Sequence, residues 1–108
     1  MALLAIQPIP STGLEAAYVA ATVSGDTCRP SAGLVLHVKN ANVADRTVTL
    51  VRPGTEYGQA NPDVPVVVTA GEERFIPVPR AFADTDGLID ITYSAVTGLT
   101  VSLLKVGI

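Results

Sequence analysis

Four stretches of the chain alternate apolar and polar residues with a period of two. Leu34, Leu36 and Val38 alternate with Val35, His37 and Lys39, and Val48 and Leu50 alternate with Thr47, Thr49 and Val51. Ile89, Ile91 and Tyr93 alternate with Asp90, Thr92 and Ser94, and Val101 and Leu103 share one face of the closing segment, Thr100 to Val106. Successive side chains of a strand point to opposite faces, so this period predicts strands buried on one side. Leu36, Val38, Val48, Leu50, Ile89, Ile91, Val101 and Leu103 are the expected core. The first two strands, joined by the short polar stretch Asn40 to Asp45, read as an antiparallel hairpin.

Weaker signals fill in the rest. Val64 to Thr69 reads as a strand, with Pro65 near its start, where a missing N–H does least harm. Ala70-Gly71-Glu72 turns the chain, and Glu73 to Val78 returns; Pro77 and Pro79 mark that strand as an edge. Glu72-Glu73 reads as a solvated hairpin tip. Residues 55–63 read as a surface loop, Tyr18 to Val23 as a strand and Gly25-Asp26 as a turn. A helical turn around Leu14, Glu15 and Ala16 is open. No long segment spaces its apolar residues by three and four, so no long helix is expected. Turn signals every 8–15 residues or so point to an all-β domain, an antiparallel β-sandwich or small β-barrel of about six to eight short strands over residues 13–108. Residues 1–12, interrupted by Pro8 and Pro10, read as an extended N-terminal arm outside the core. Its Leu3, Leu4, Ile6 and Ile9 are candidate interface residues, because a free monomer would leave them wet. On the last strand Leu104, Val106 and Ile108 lie opposite Leu103, so both faces need cover.

Composition narrows the function. The chain has 108 residues, a single domain's worth. It is 48% hydrophobic and 16% charged, which excludes disorder. The net charge of −3, with seven basic residues spread along the chain, argues against nucleic acid. No apolar run approaches a membrane span or an export signal, so no membrane contact is expected. The one cysteine, Cys28, has no internal disulfide partner, which suits a reducing compartment and reads as a small buried hydrophobe.

Candidate chemistry is sparse. His37, the only histidine, falls on the strand face opposite Leu36 and reads as a surface or interface residue. No nucleophile, base and orienting group stand at a recognisable spacing, and one Cys with one His cannot close a zinc site. Asp84, Asp86 and Asp90 are the weak candidates for a hard cation, but Asp-Thr-Asp-Gly lacks the remaining ligands of a calcium loop and is also ordinary turn chemistry. Neither enzymatic activity nor a cofactor is expected. Tyr18, Tyr57 and Tyr93 are scattered, and Trp is absent, unlike the aromatic platforms of carbohydrate-binding modules.

Several segments together carry a resemblance. They are Thr12-Gly13-Leu14, Ala20 to Asp26, Leu36-His37-Val38-Lys39-Asn40, Thr47-Val48-Thr49-Leu50, Thr69 to Arg74 and Ile91-Thr92-Tyr93-Ser94. In order and spacing the chain resembles the small capsid decoration, or head-stabilisation, proteins of tailed actinobacterial bacteriophages. The resemblance implies a structural virion protein, made in the host cytoplasm, that binds the major capsid protein on the capsid exterior as a homotrimer. A tail or connector β-domain, or a non-catalytic carbohydrate-binding or adhesin-like module, is the alternative.

Overall fold

The computed structural model describes residues 2–106. Two β-sheets lie face to face in a body of 43 × 37 × 20 Å, the short axis matching two sheets about 10 Å apart plus their outward side chains. The first sheet runs β1 (Ala2–Leu3), β4 (Asp26–Cys28), β11 (Ile89–Tyr93), β6 (Arg46–Leu50) and β9 (Val64–Val68) in spatial order. The second runs β10 (Glu73–Pro77), β5 (Leu34–Asn40), β12 (Leu99–Lys105) and β2 (Ile6–Pro8), with β3 (Val19–Ala20) also paired to β12. A separate hairpin is made by β7 (Thr55–Glu56) and β8 (Gln59–Ala60). The domain is therefore all-β and compatible with a small β-sandwich. It has more strands than the expected six to eight, because several elements of two or three residues carry no readable alternation.

The eight expected core residues are all at most 1% exposed. They meet between the sheets with Leu34, Cys28, Val68, Ile76, Val78 and Leu99. Burying each large aliphatic side chain stabilises the fold by roughly 1.5–3 kcal/mol. The alternation is satisfied because β5 and β12 pair over seven residues, Leu99↔Asn40 to Lys105↔Leu34, so that Leu36 and Leu103 sit opposite each other on the inner face.

The expected hairpin between β5 and β6 does not form. β5 pairs with β10 and β12, whereas β6 pairs with β11 and β9 in the other sheet. Residues 41–45 are an arch over the end of the sandwich, and Asn40 builds it. Its buried amide donates to Ala44 O (2.9 Å) and Val68 O (3.0 Å) and accepts from Asn42 N (3.0 Å). Ala41 N also donates to Gly98 O at 2.8 Å. The polar residues that suggested a hairpin loop instead satisfy backbone groups inside the arch. The chain crosses the same end twice more, from β9 to β10 and from β11 to β12. Glu72-Glu73 is thus no hairpin tip, and Glu73 opens β10.

The N-terminal arm is also corrected. β1 pairs in parallel with β4, the chain crosses between sheets at Leu4, and β2 pairs in parallel with β12. Residues 2–8 are therefore part of the sandwich; Met1 lies outside the described residues. No helical turn forms at residues 13–18, and among the described residues the single turn of 3-10 helix is Arg80–Phe82. Asp26, expected in a turn, is the first residue of β4 and is wholly buried.

β9 and β10 are free edges, as the prolines indicated for β10. Thr47 exchanges hydrogen bonds with Ser94 through its backbone N and O, so its partner Val67, and Pro65 two residues away, turn their backbone outward. Val78 N donates to Leu34 O and Asn40 N to Glu72 O, which leaves Phe75 and Pro77 facing out on β10. Each edge thus has a proline where a donor would invite strand addition.

Candidate interaction surface

The four arm residues separate. Leu4 is 7% exposed and belongs to the core, and Ile6, opposite Leu103, packs against it. Leu3, 49% exposed, and Ile9, 40% exposed, remain outward. Leu4 crosses from one sheet to the other, which a seven-residue pattern broken by Pro8 could not reveal.

Ile9 joins an apolar band on the outer face of the second sheet. Pro77, Val35 and Leu104 are successive cross-strand partners. Phe75 precedes Pro77 by two residues, and Val106 follows Leu104 by two, so both share that face. Ile9 N donates to Lys105 O at 3.0 Å, which sets Ile9 beside Val106. Leu104 is buried and Val35 half-buried, while Phe75, Pro77, Ile9 and Val106 are exposed around them. Gly33 fixes the end of this band: its O accepts from Val106 N at 2.8 Å, and a Cβ there would lie 1.9 Å from Val106 O. Ile108, expected on the same face, lies outside the described residues.

Next to the band the face is polar and closed over. His37 does point away from the core, yet it is only 5% exposed. Phe75 stacks on its ring at 4.0 Å, and Tyr18 Oη lies 2.6 Å from Nδ1. Glu73 Oε2 is 3.3 Å from Nε2, but the two make no hydrogen bond. Lys39 Nζ sits 4.1 Å over the Tyr18 ring. Gln7 exchanges two hydrogen bonds of 2.9 Å with the Ala17 backbone and donates to Ser102 Oγ at 3.0 Å. Tyr18 and Gln7 together pin residues 17–18 to the sheet. Nδ1 of His37 is thus engaged by Tyr18, while Nε2 is buried beside Glu73 without a hydrogen-bond partner among the described residues.

The remaining candidates are structural in character. Tyr93 donates to Asp26 Oδ2 at 2.7 Å, and Thr22 N approaches the same oxygen at 3.4 Å. Burial first, and then Asp26, push the Tyr93 phenol well above its usual range. Burial, with Asp90 adding to it, pushes the Cys28 thiol from 9.0 up to about 11. This thiol stays protonated in the folded state while the unfolded chain releases its proton between those values. The sign follows: below pH 9 the group contributes no pH dependence, and from pH 9 to 11 it destabilises the fold progressively, by about 2–3 kcal/mol at the limit. Cys28→Ala should therefore lose less stability than the wild type across that window, which denaturant midpoints at pH 8 and 10.5 will read.

Asp84 Oδ1 accepts from Asp86 N (2.9 Å) and Leu88 N (3.2 Å), which is turn chemistry. Burial, then the neighbouring Asp84 and Asp86 carboxylates, raise the carboxyl pKa of Asp90. The three carboxylates are brought together, but among the described residues no group of three or more His, Cys, Asp or Glu has the arrangement to hold a metal.

One exposed feature has no internal explanation. Residues 55–60 form a two-residue hairpin whose tip residues, Tyr57 and Gly58, have φ of 53° and 77°. That geometry favours Asn-Gly, and a left-handed backbone at a side chain as large as tyrosine costs about 1–2 kcal/mol. Tyr57 is nonetheless fully exposed. The hairpin's base is tied by Asn61, which donates from Nδ2 to Pro53 O and from its backbone N to Gly54 O, both at 3.1 Å.

Comparison with family models, curated proteins and solved structures finds no match to this chain.

Sequence reasoning missed the buried Asp26–Tyr93 pair, the Gln7 and Tyr18 clasp and the exposed ring of Tyr57. The first two join residues far apart in sequence, without local spacing. A Tyr-Gly pair in a loop between strands was the available signal for the third.

Proposed function

We propose that this domain is a non-catalytic structural protein that docks on other proteins, and specifically that it decorates the exterior of a phage capsid as a homotrimer bound to the major capsid protein. The observation that carries the docking reading is the apolar band of Phe75, Pro77, Val35, Leu104, Ile9 and Val106 on one face of the second sheet. A contiguous apolar surface that no other described residues cover favours contact with a partner. The sequence resemblance to capsid decoration proteins supplies the partner and the three-fold setting, since symmetric sites favour symmetric occupants.

Capsid shells assembled without this protein are the test. The wild-type domain should bind them saturably on the outer surface. The double variant Ile9→Asp and Val106→Asp changes two exposed residues of the band and should keep its circular dichroism and melting temperature. It should bind at least about tenfold more weakly, the loss expected when charge enters an apolar contact. Unchanged binding by the variant would remove the band from the interface. Failure of the wild type to bind would remove the capsid reading.

A further inference from the structure

We infer that residues 2–20 form a latch that leaves the sandwich as one unit while the rest stays folded, and that this latch guards the two strand edges that no proline protects. The inference does not depend on the docking reading above. β9 and β10 each carry a proline on their free edge, Pro65 and Pro77. The opposite edges belong to β4 and β12, and neither strand contains a proline. β1 lies along β4, and β2 and β3 lie along β12. Residues 2–20 therefore cover what would otherwise be two open templates for strand addition.

The cover adds little to the core. From Leu3 to Ala20 only Leu4 is buried, and none of the eight expected core residues belongs to the segment. Its strands have two, three and two residues, and residues 9–18 between β2 and β3 lie in no strand or helix. Without it, β4, β11, β6 and β9 still pair in one sheet, and β10, β5 and β12 in the other. Few buried apolar groups and short, exposed ladders mark a segment that opens well below the free energy of global unfolding.

The two halves of the segment are tied to each other. Gln7, in β2, exchanges hydrogen bonds of 2.9 Å with the backbone of Ala17, just before β3. The halves attach to the second sheet through neighbouring strands: Gln7 donates to Ser102 Oγ at 3.0 Å, and Tyr18 Oη lies 2.6 Å from His37 Nδ1. Neither half can leave without breaking the Gln7–Ala17 pair, so they release together. The hinge is the turn that follows. Ala21 is buried and donates from N to Leu99 O at 3.0 Å, and Gly25, with φ of 95°, closes the turn by donating to Thr22 O at 2.9 Å.

Amide hydrogen exchange on the full chain, read residue by residue by NMR, is the test. Leu4 N, which donates to Thr27 O, and Ile9 N, which donates to Lys105 O, report the latch. Thr49 and Thr92, paired between β6 and β11, and Lys39, paired with Thr100, report the inner ladders. In the wild type Leu4 and Ile9 should share one protection factor within about threefold, at least about 100-fold below the inner ladders. Tyr18→Phe removes the hydroxyl that meets His37, in the other half of the segment. It should speed exchange at Leu4 and Ile9 together, by at least about threefold, and leave Thr49, Thr92 and Lys39 unchanged. Protection at Leu4 and Ile9 equal to that of the inner ladders would make the segment an integral part of the sandwich and overturn the latch. Exchange at Leu4 or Ile9 that ignores Tyr18→Phe would show piecemeal fraying and overturn it as well.

Discussion

Tyr93→Phe should destabilise the domain by about 2–3 kcal/mol, although it removes a single oxygen. That oxygen donates to Asp26 Oδ2 at 2.7 Å, and the other approach to this carboxyl, from Thr22 N, is long at 3.4 Å. Asp26 is wholly buried, and its Oδ1 has no hydrogen-bond partner among the described residues. Losing the phenol strands a buried carboxyl, and the penalty for an unsatisfied buried polar group exceeds the net worth of the bond itself. Adding Asp26→Ala to Tyr93→Phe should cost less than the sum of the two single changes, because the carboxyl that needed the donor is gone. Urea denaturation of the four proteins checks this. Additive losses would mean that the pair does not act as a unit.

Asn40→Ala should cost about 3 kcal/mol. The amide donates to Ala44 O and Val68 O and accepts from Asn42 N, and the Val68 contact is buried. Each lost bond contributes about 1 kcal/mol, and more where a carbonyl is left dry. The arch from β5 to β6 should loosen first, so amide exchange should speed up at residues 41–45 ahead of the strands. Uniform loss of protection across both sheets would show instead that the arch and the sandwich unfold together.

The sequence made the faces of the strands legible but not their partners. Alternation requires that Leu36, Val38, Val48, Leu50, Ile89, Ile91, Val101 and Leu103 face one way, and all eight do. Period two carries no information on which sheet a strand joins, and a short polar loop serves an arch as readily as a hairpin. The deciding contact, from Asn40 to Val68, spans 28 residues. β4 escaped notice because Asp26, Thr27 and Cys28 are all buried and so show no alternation. The role of His37 depended on Phe75, which β10 brings across in register, and on Tyr18, which precedes a strand expected over Tyr18 to Val23 that spans only Val19–Ala20. The arm misled for a related reason: Leu4 changes sheets, so Leu3 and Leu4 have opposite fates within one apolar run. Of the candidate interface, Ile9 and Leu3 kept an outward place, whereas Leu4 and Ile6 serve the core.

The docking account is tested most directly by an electron-microscopy reconstruction of the particle that carries this protein, at a resolution that shows side chains. The account predicts three copies of the sandwich around each local three-fold position on the capsid exterior, with the Ile9, Leu104 and Val106 face of the second sheet buried against a neighbouring protein. A map with this domain absent from the capsid surface, or present with that face open to solvent, would contradict it.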